Sequence, residues 1–361
     1  MSDELQHSPL EALHRELGGR LVPFAGWNMP VMYGSILDEH HAVRTAAGIF
    51  DISHMGQFVV TGGGAEAWLN RMLANDLAKL SCGEGQYSFL LNEQGGVIDD
   101  LIVYRESADG FFLVVNASKI DEDAAWLKRH LAEGVDFSDQ SAAWAGMAIQ
   151  GPESSAVFGK VFPGVPLPPR NGIGRKDGVV FCRTGYTGED GFEFFCPAAD
   201  GEAWFRKFID AGAKPCGLGA RDSLRLEMCY PLNGSDLSPE RTPLEAGLGF
   251  FVALEKGDFI GRDVLARQKK EGLEERLAAI EYLDKGAPPR AHYPVLDEEG
   301  NPLGELASGV LSPSLGKGIG MAYLPVASAK PGTPLLIDVR GRHFPARVVK
   351  KPFYKPTPAS A

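Results

Sequence analysis

Two adjacent carboxylates, Asp99 and Asp100, stand in the middle of the segment GGVIDDLIVY, residues 95–104. Around them Val97, Ile98, Leu101, Ile102, Val103 and Tyr104 mark a β-strand with apolar side chains on both faces. With a period of two, Asp99 shares one face with Val97, Leu101 and Val103, while Asp100 shares the other with Ile98, Ile102 and Tyr104. A charge buried among such neighbours is costly. A carboxylate kept there is hydrogen-bonded, ion-paired or employed, and burial without partners raises its pKa towards general acid–base work. The competing explanation is a bulge or a turn-capping pair after Gly95 and Gly96, and spacing alone does not say which aspartate carries chemistry.

The segment RTGYTGEDGFE, residues 183–193, places an aromatic, a guanidinium and three acids in a glycine-rich loop and the strand that follows. Tyr186 is able to stack on a flat heterocycle while Glu193 accepts two hydrogen bonds from an amidine-like edge, as a pterin presents. An ordinary hairpin with a solvated acidic turn is the bland alternative. GLGARDSLRLEMC, residues 217–229, opens like a nucleotide loop, but Asp222 occupies the last glycine position of GxGxxG and no strand precedes it suitably. A dinucleotide site is therefore rejected. As a helix, the segment puts Arg221, Leu224, Arg225 and Met228 on one face, so the two arginines are either internal ion-pair donors, with Asp222 and Glu227 as partners, or anion ligands. Internal pairing is the expectation. His54, in DISHMGQ, and the pair His40 and His41 lack the i, i+4 arrangement or cysteine companions of a metal site, and His54 is read as a satisfied structural histidine. GxSxG, GxxxxGK[ST] and HExxH are absent from the chain.

These residues need elements to hold them. QYSFLL, VIDDLIVY and FFLVVN, separated by NEQGG and RESADG, predict an antiparallel meander from Gly85 onwards. KIDEDAAWLKRHL follows with Ile120, Ala124, Leu127 and Leu131 at helical spacing, which makes an α+β unit from about Phe50 to Ser141. GVVFCR and GFEFFC flank TGYTGED as a second strand pair, and GEAWFRKFIDAG reads as a helix. Beyond about Tyr282, short β runs broken by Gly and Pro predict a separate small barrel or sandwich.

Composition narrows the class further. A chain of 361 residues, 44% hydrophobic, can bury a large core and suggests two or three domains. Its net charge of −11 disfavours a nucleic-acid partner, with one basic stretch, Arg340, Arg342, Arg347, Lys350, Lys351 and Lys355, set against the trend. That stretch is read as solvated surface rather than an anion-steering patch. No apolar run reaches the roughly 18 residues of a membrane span, the start is not signal-like, and a cytoplasmic protein is expected. Cys82, Cys182, Cys196, Cys216 and Cys229 are scattered and never form CxxC, so they are expected as small core residues.

Taken in order, FAGWNMP (24–30), GIFDISHMGQ (48–57), GGVIDDLIVY (95–104), VVNASK (114–119), RTGYTGEDGFE (183–193), GLGARDSLRLE (217–227), PLEAGLG (243–249) and KKPFY (350–354) resemble the signature segments of the aminomethyltransferase, or T-protein, family of the glycine cleavage system. The resemblance covers nearly the whole chain. It implies an α+β, three-domain cloverleaf around a central folate channel, with a discontinuous first domain (1–49 and 142–275), a ferredoxin-like domain (50–141) and a small C-terminal β-barrel (276–361). The implied reaction takes the aminomethyl group held on the lipoyl arm of a partner H-protein, releases ammonia, and passes the one-carbon unit to tetrahydrofolate. Its products are 5,10-methylenetetrahydrofolate and the dihydrolipoyl carrier.

The resemblance makes Asp100 the catalytic carboxylate and Asp99 structural. Glu193 would hold the pterin amino edge beside Tyr186, with Asn116, Tyr87, Tyr104, Met55 and Arg221 completing the folate pocket. After KPFY the family usually has arginine; Lys355 here substitutes a point charge for a bidentate fork at any contact with the folate tail or a substrate carboxylate. No metal and no flavin is implied. The alternative is a tetrahydrofolate-dependent demethylase on the same fold, distinguished by the absence of released ammonia.

Overall fold

The computed structural model describes residues 5–356. Strands Gly56–Thr61, Gly85–Leu91, Val97–Ser107, Gly110–Val115 and Asp136–Asp139 form an antiparallel sheet in which Val97–Ser107 lies between Gly85–Leu91 and Gly110–Val115. Helices Ala65–Met72 and Ile120–Arg129 cover one face, where Trp68, Leu69 and Leu127 pack with Leu101, Val103 and Leu113. This is the ferredoxin-like unit, with the expected meander and helix. Leu131, expected on that helix, lies beyond its end at Arg129 and is exposed.

The strand carrying the aspartates is bulged. Leu90 pairs with Asp99 and Leu91 with Val97, so Ile98 has no partner of its own. The extra residue moves Ile98 off the Asp100 face that strict alternation assigned it, and into the helix-side core with Leu101 and Val103. Beyond the bulge alternation resumes: Asp99 faces the helices, while Asp100, Ile102 and Tyr104 face the rest of the protein. Gly96 is obligatory before it, because a Cβ there would stand 1.7 Å from the Pro239 carbonyl oxygen. That close approach lets the Val97 N–H donate to the Ser238 and Arg241 carbonyls, both at 3.0 Å, which pins the strand's start to the 231–241 loop.

The second sheet has six strands, in the order Ile173–Lys176, Val179–Cys182, Gly191–Pro197, Trp144–Gln150, Gly48–Asp51 and Lys214–Pro215. Gly48–Asp51 pairs with Trp144–Gln150, Ile149 opposite Ile49, so the ferredoxin-like unit is inserted between two neighbouring strands of this sheet. Helix Gly201–Asp210 packs Phe205 and Phe208 onto Phe192 and Phe194. The C-terminal element is a closed barrel of six strands, Glu275–Tyr282, Pro294–Leu296, Pro302–Ser312, Lys317–Pro325, Pro334–Val339 and Arg342–Val349. Its first strand begins before Tyr282, where the β character becomes legible in sequence. ERLAAIEY buries both faces, Ala278, Ile280 and Tyr282 in the barrel and Leu277 and Ala279 against Phe89 and Leu226, so it lacks polar alternation. Four cysteines are buried as expected, whereas Cys82 is exposed.

Candidate functional site

Where the inserted sheet meets the first unit, Asp100 is clamped from three directions. The Tyr87 hydroxyl, from the neighbouring strand, donates to Oδ2 at 2.8 Å; Asn116 Nδ2, at the end of Gly110–Val115, donates to Oδ1 at 3.0 Å and to the Asp100 carbonyl at 2.9 Å. Asn233 Nδ2 approaches Oδ1 at 3.4 Å from the 231–241 loop. Burial, with the Asp99 charge one residue away, pushes the Asp100 carboxyl up to about 7 despite these donors. It is a carboxylate poised between its two protonation states near neutrality, as proton transfer requires. Asp99 is fully buried on the opposite face, accepting from the Asn116 backbone N–H at 3.0 Å and from Asn116 Nδ2 at 2.9 Å. One asparagine thus ties the two aspartates together.

A second wall comes from the Gly-rich loop and the helix Leu218–Glu227. Glu193, 7% exposed, accepts from Thr184 Oγ1 at 2.7 Å, and that hydroxyl also meets the Tyr104 hydroxyl at 2.7 Å; burial raises the Glu193 carboxyl above its ordinary value. The Tyr186 hydroxyl donates to the Pro231 carbonyl, and the ring lies near enough to Asp100 to sense its charge. Arg221 is placed over that ring, its guanidinium 4.8 Å from the centroid, and burial lowers its affinity for its proton while Glu193 offsets the effect. A cation over an aromatic, a buried carboxylate with little hydrogen bonding, and a clamped aspartate thus stand close enough to sense one another's charge, Asp100 with Tyr186 and Arg221 with both Tyr186 and Glu193. Such a set suits a planar, amidine-bearing ligand with a reacting nitrogen near Asp100.

Internal pairing, expected for both arginines of the helix, holds for one. Arg225 donates to Asp222 at 2.8 Å, Asp236 at 2.6 Å and Ser308 at 2.9 Å. Arg221 has no ion pair among the described residues. Glu227 is committed elsewhere, to Arg44 at 2.8 Å, Ser312 at 2.5 Å and the Ser314 N–H at 3.0 Å. The acids of the TGYTGED loop are not a solvated turn either: Glu189 pairs with Arg44 at 2.8 Å and Asp190 with Arg183 at 3.0 Å.

Met55 is half-buried against the cluster that contains Tyr104 and Cys182. Lys355 is exposed and no contact among the described residues joins it to the pocket, while its neighbour Tyr354 lies under Arg44, 4.1 Å from the ring centroid. The basic stretch is not one patch: Arg347 pairs with Glu281 at 2.6 Å, and Lys351 turns its amine to within 3.4 Å of the Ala246 carbonyl. His54 is buried but not satisfied, since its Nδ1 has no partner. Burial and the nearby Arg221 charge push its pKa down to about 4, so the ring is neutral at pH 7. Thr184 and Asn233 are polar groups around the site that sequence reasoning left out, and His54, read there as structural, stands beside Arg221. Thr184 lies inside the segment already singled out, whereas Asn233 carries no local signal because its partner is 133 residues away. Among the described residues no group of three or more His, Cys, Asp or Glu side chains is placed to hold a metal, and no helix is long and apolar enough to cross a membrane.

Fold and relatives together define a tetrahydrofolate-dependent one-carbon transferase. Residues 10–256 match the GCVT N-terminal domain and residues 276–355 the glycine cleavage T-protein C-terminal barrel domain. Curated aminomethyltransferases from Halalkalibacterium halodurans and Synechococcus sp. are 42% and 45% identical to the chain, covering 98% and 97% of it and 99% of each relative. The crystal structure of glycine cleavage system aminomethyltransferase T from Bartonella henselae superposes with a TM-score of 0.93 at 34% identity, covering 98% of this chain and 99% of that one. The chain belongs to the glycine cleavage T-protein family, the tetrahydrofolate-dependent aminomethyltransferases.

Proposed function

We propose that the pocket bounded by Asp100, Tyr87, Asn116, Tyr104, Met55, Tyr186, Glu193 and Arg221 holds tetrahydrofolate while the one-carbon unit is transferred from an aminomethylated lipoyl carrier. The observation that carries this reading is the Asp100 carboxyl, clamped by Tyr87 and Asn116 and pushed up to about 7. The transfer balances without redox change. The S–CH2 and CH2–N bonds of the aminomethyl group break, and two bonds form from that carbon to N5 and N10 of the folate. The two N–H protons that the folate gives up leave on the carrier thiol and on ammonium. Asp100, ionised, stabilises the cationic carbon and accepts a proton from the attacking nitrogen. Glu193 accepts hydrogen bonds from the pterin amino edge, and Arg221 and Tyr186 bound the ring's plane.

The carrier is the lipoylated H-protein of glycine cleavage, and its arm enters past Phe250. That ring is 94% exposed, touches Phe251 edge-on at 5.5 Å, and Phe251 packs on Tyr87 at 4.9 Å, so an exposed aromatic stands two rings away from Asp100's hydrogen-bond donor. Lys355 meets the distal end of the folate or a carboxylate of the carrier. The domain division is 1–49 with 142–275, then 50–141, then 276–361. Free cysteines throughout fit a reducing compartment, the cytoplasm.

Anaerobic incubation with tetrahydrofolate and aminomethyl-lipoyl carrier, following ammonia and 5,10-methylenetetrahydrofolate together, tests the reaction. Both products appear in equal amounts if the reading holds. Folate binding without ammonia would instead point to a methyl donor and the demethylase alternative.

A further inference from the structure

Behind the pocket, Asp123 on the helix Ile120–Arg129 is fully buried, and neither of its carboxyl oxygens has an N–H or O–H donor among the described residues. What faces it, within hydrogen-bonding range, is the carboxyl of Asp99. Two carboxylates cannot both be ionised at that range in a dry site; one proton must lie between them. Its placement is decided by the other partners. Asp99 already accepts two hydrogen bonds from Asn116, at 3.0 and 2.9 Å, which favour its charged form, whereas Asp123 accepts none. The remaining charged groups near Asp123 are Lys119 and Glu122, paired with each other at 2.8 Å.

We propose that Asp123 is a positioning residue: its carboxyl carries a proton that it donates to Asp99, keeping Asp99 the ionised acceptor that holds Asn116 against Asp100. The chain of contacts runs from helix to pocket, Asp123 to Asp99 to Asn116 to Asp100, and only its last member touches substrate. Were Asp99 protonated instead, it would lose acceptor strength towards both Asn116 hydrogens, and the amide that donates to Asp100 Oδ1 at 3.0 Å would be free to turn. The Asp99 charge also opposes ionisation of Asp100, whereas Tyr87 and Asn233, which donate to that carboxylate from the pocket side, favour it, and the Tyr186 hydroxyl stands near the same charge. The shared proton thus sets the pH at which Asp100 becomes a base.

This inference rests on the catalytic reading of Asp100, but the proton itself can be observed without turnover. Infrared spectroscopy of the whole protein, roughly two units above the Asp100 midpoint so that Asp100 is ionised, should show a protonated-carboxyl band that is lost in Asp123→Asn. In that variant the amide still donates to Asp99, so transfer and the acid limb of its pH profile stay as in the parent. Asp123→Leu supplies no donor and admits no water; Asp99 then takes the proton itself. Turnover should fall about tenfold and the acid limb move down by about one pH unit, with the folate KM little changed. The proposal is overturned if Asp123→Asn leaves the band in place, or if it shifts the acid limb. Should Asp123→Leu fail to fold, the band and the Asp123→Asn profile still decide. Loss of the band with no transfer activity in any form would keep the proton on Asp123 and refute only the function of Asp100.

Discussion

Replacing Asp100 with asparagine should make the protein more stable and nearly inactive, and both effects follow from the same buried charge. The folded-state carboxyl sits at about 7 against an ordinary value of 3.8, a raised acid. Stability tied to such a group is complete below the unfolded value and is lost as pH rises through the folded one. At about 3 units and 1.36 kcal/mol per unit, ionising Asp100 in place costs about 4 kcal/mol above pH 7. Part of that cost is repulsion shared with Asp99, and the Asn116 donor loses its anionic acceptor, so a gain of about 2 kcal/mol is expected for Asp100→Asn. Urea unfolding from about pH 4 to 8 should show a variant-minus-parent difference near zero at the acid end, growing to its full value by about pH 7. Turnover measured as methylenetetrahydrofolate formation should fall by about 10² to 10⁴ with the folate affinity largely retained. A stability difference that does not depend on pH would refute the buried-charge account. Unchanged turnover would refute Asp100 as the reacting carboxylate.

Glu193→Gln removes the charge that faces the pterin edge, so the folate dissociation constant should rise by roughly 10- to 100-fold, about 1.5–3 kcal/mol, with a smaller change in kcat; calorimetric titration reads it directly. Glu227 is held down to about 2, after burial is outweighed by His40, Ser312 and Arg44, and it joins two helices to the barrel hairpin. Its stabilisation is present above the ordinary 4.5 and is lost as pH falls towards 2, so Glu227→Gln should cost about 3–5 kcal/mol near neutrality and progressively less below pH 4.5. Thermal melts at pH 7 and at pH 3.5 that showed the same loss would argue against it. Phe250→Ser, on a ring 94% exposed, should leave melting unchanged and raise the carrier KM by about tenfold without altering the folate KM. An unaltered carrier KM would place the docking surface elsewhere.

What the sequence by itself determined were the features written in neighbouring residues. Alternation and turn chemistry give the meander and the 120–129 helix, glycine and proline spacing gives most of the barrel, and the crowding of Asp99 and Asp100 among apolar residues marks the strand that matters. Their chemistry is legible because burial makes a carboxylate conspicuous wherever it falls. The tertiary structure decided everything that depends on distant partners. A bulge after Gly95 and Gly96 was legible only as an alternative, and its place at Ile98 is set by the Pro239 loop closing over Gly96. Arg221 and Arg225 were both expected to pair internally, yet Asp222, Asp236 and Ser308 claim only Arg225, while the Tyr186 ring receives Arg221. The barrel strand Glu275–Tyr282 has both faces covered, which erases the alternation that would announce it. Asp123, four residues along from Lys119 on an amphipathic helix, looks like any solvated acid until the fold turns it inward onto Asp99. A single chain segment fixes its own hydrogen-bonding habits and apolar faces, but a buried charge takes its meaning from what packs against it, and here those groups come from other parts of the chain.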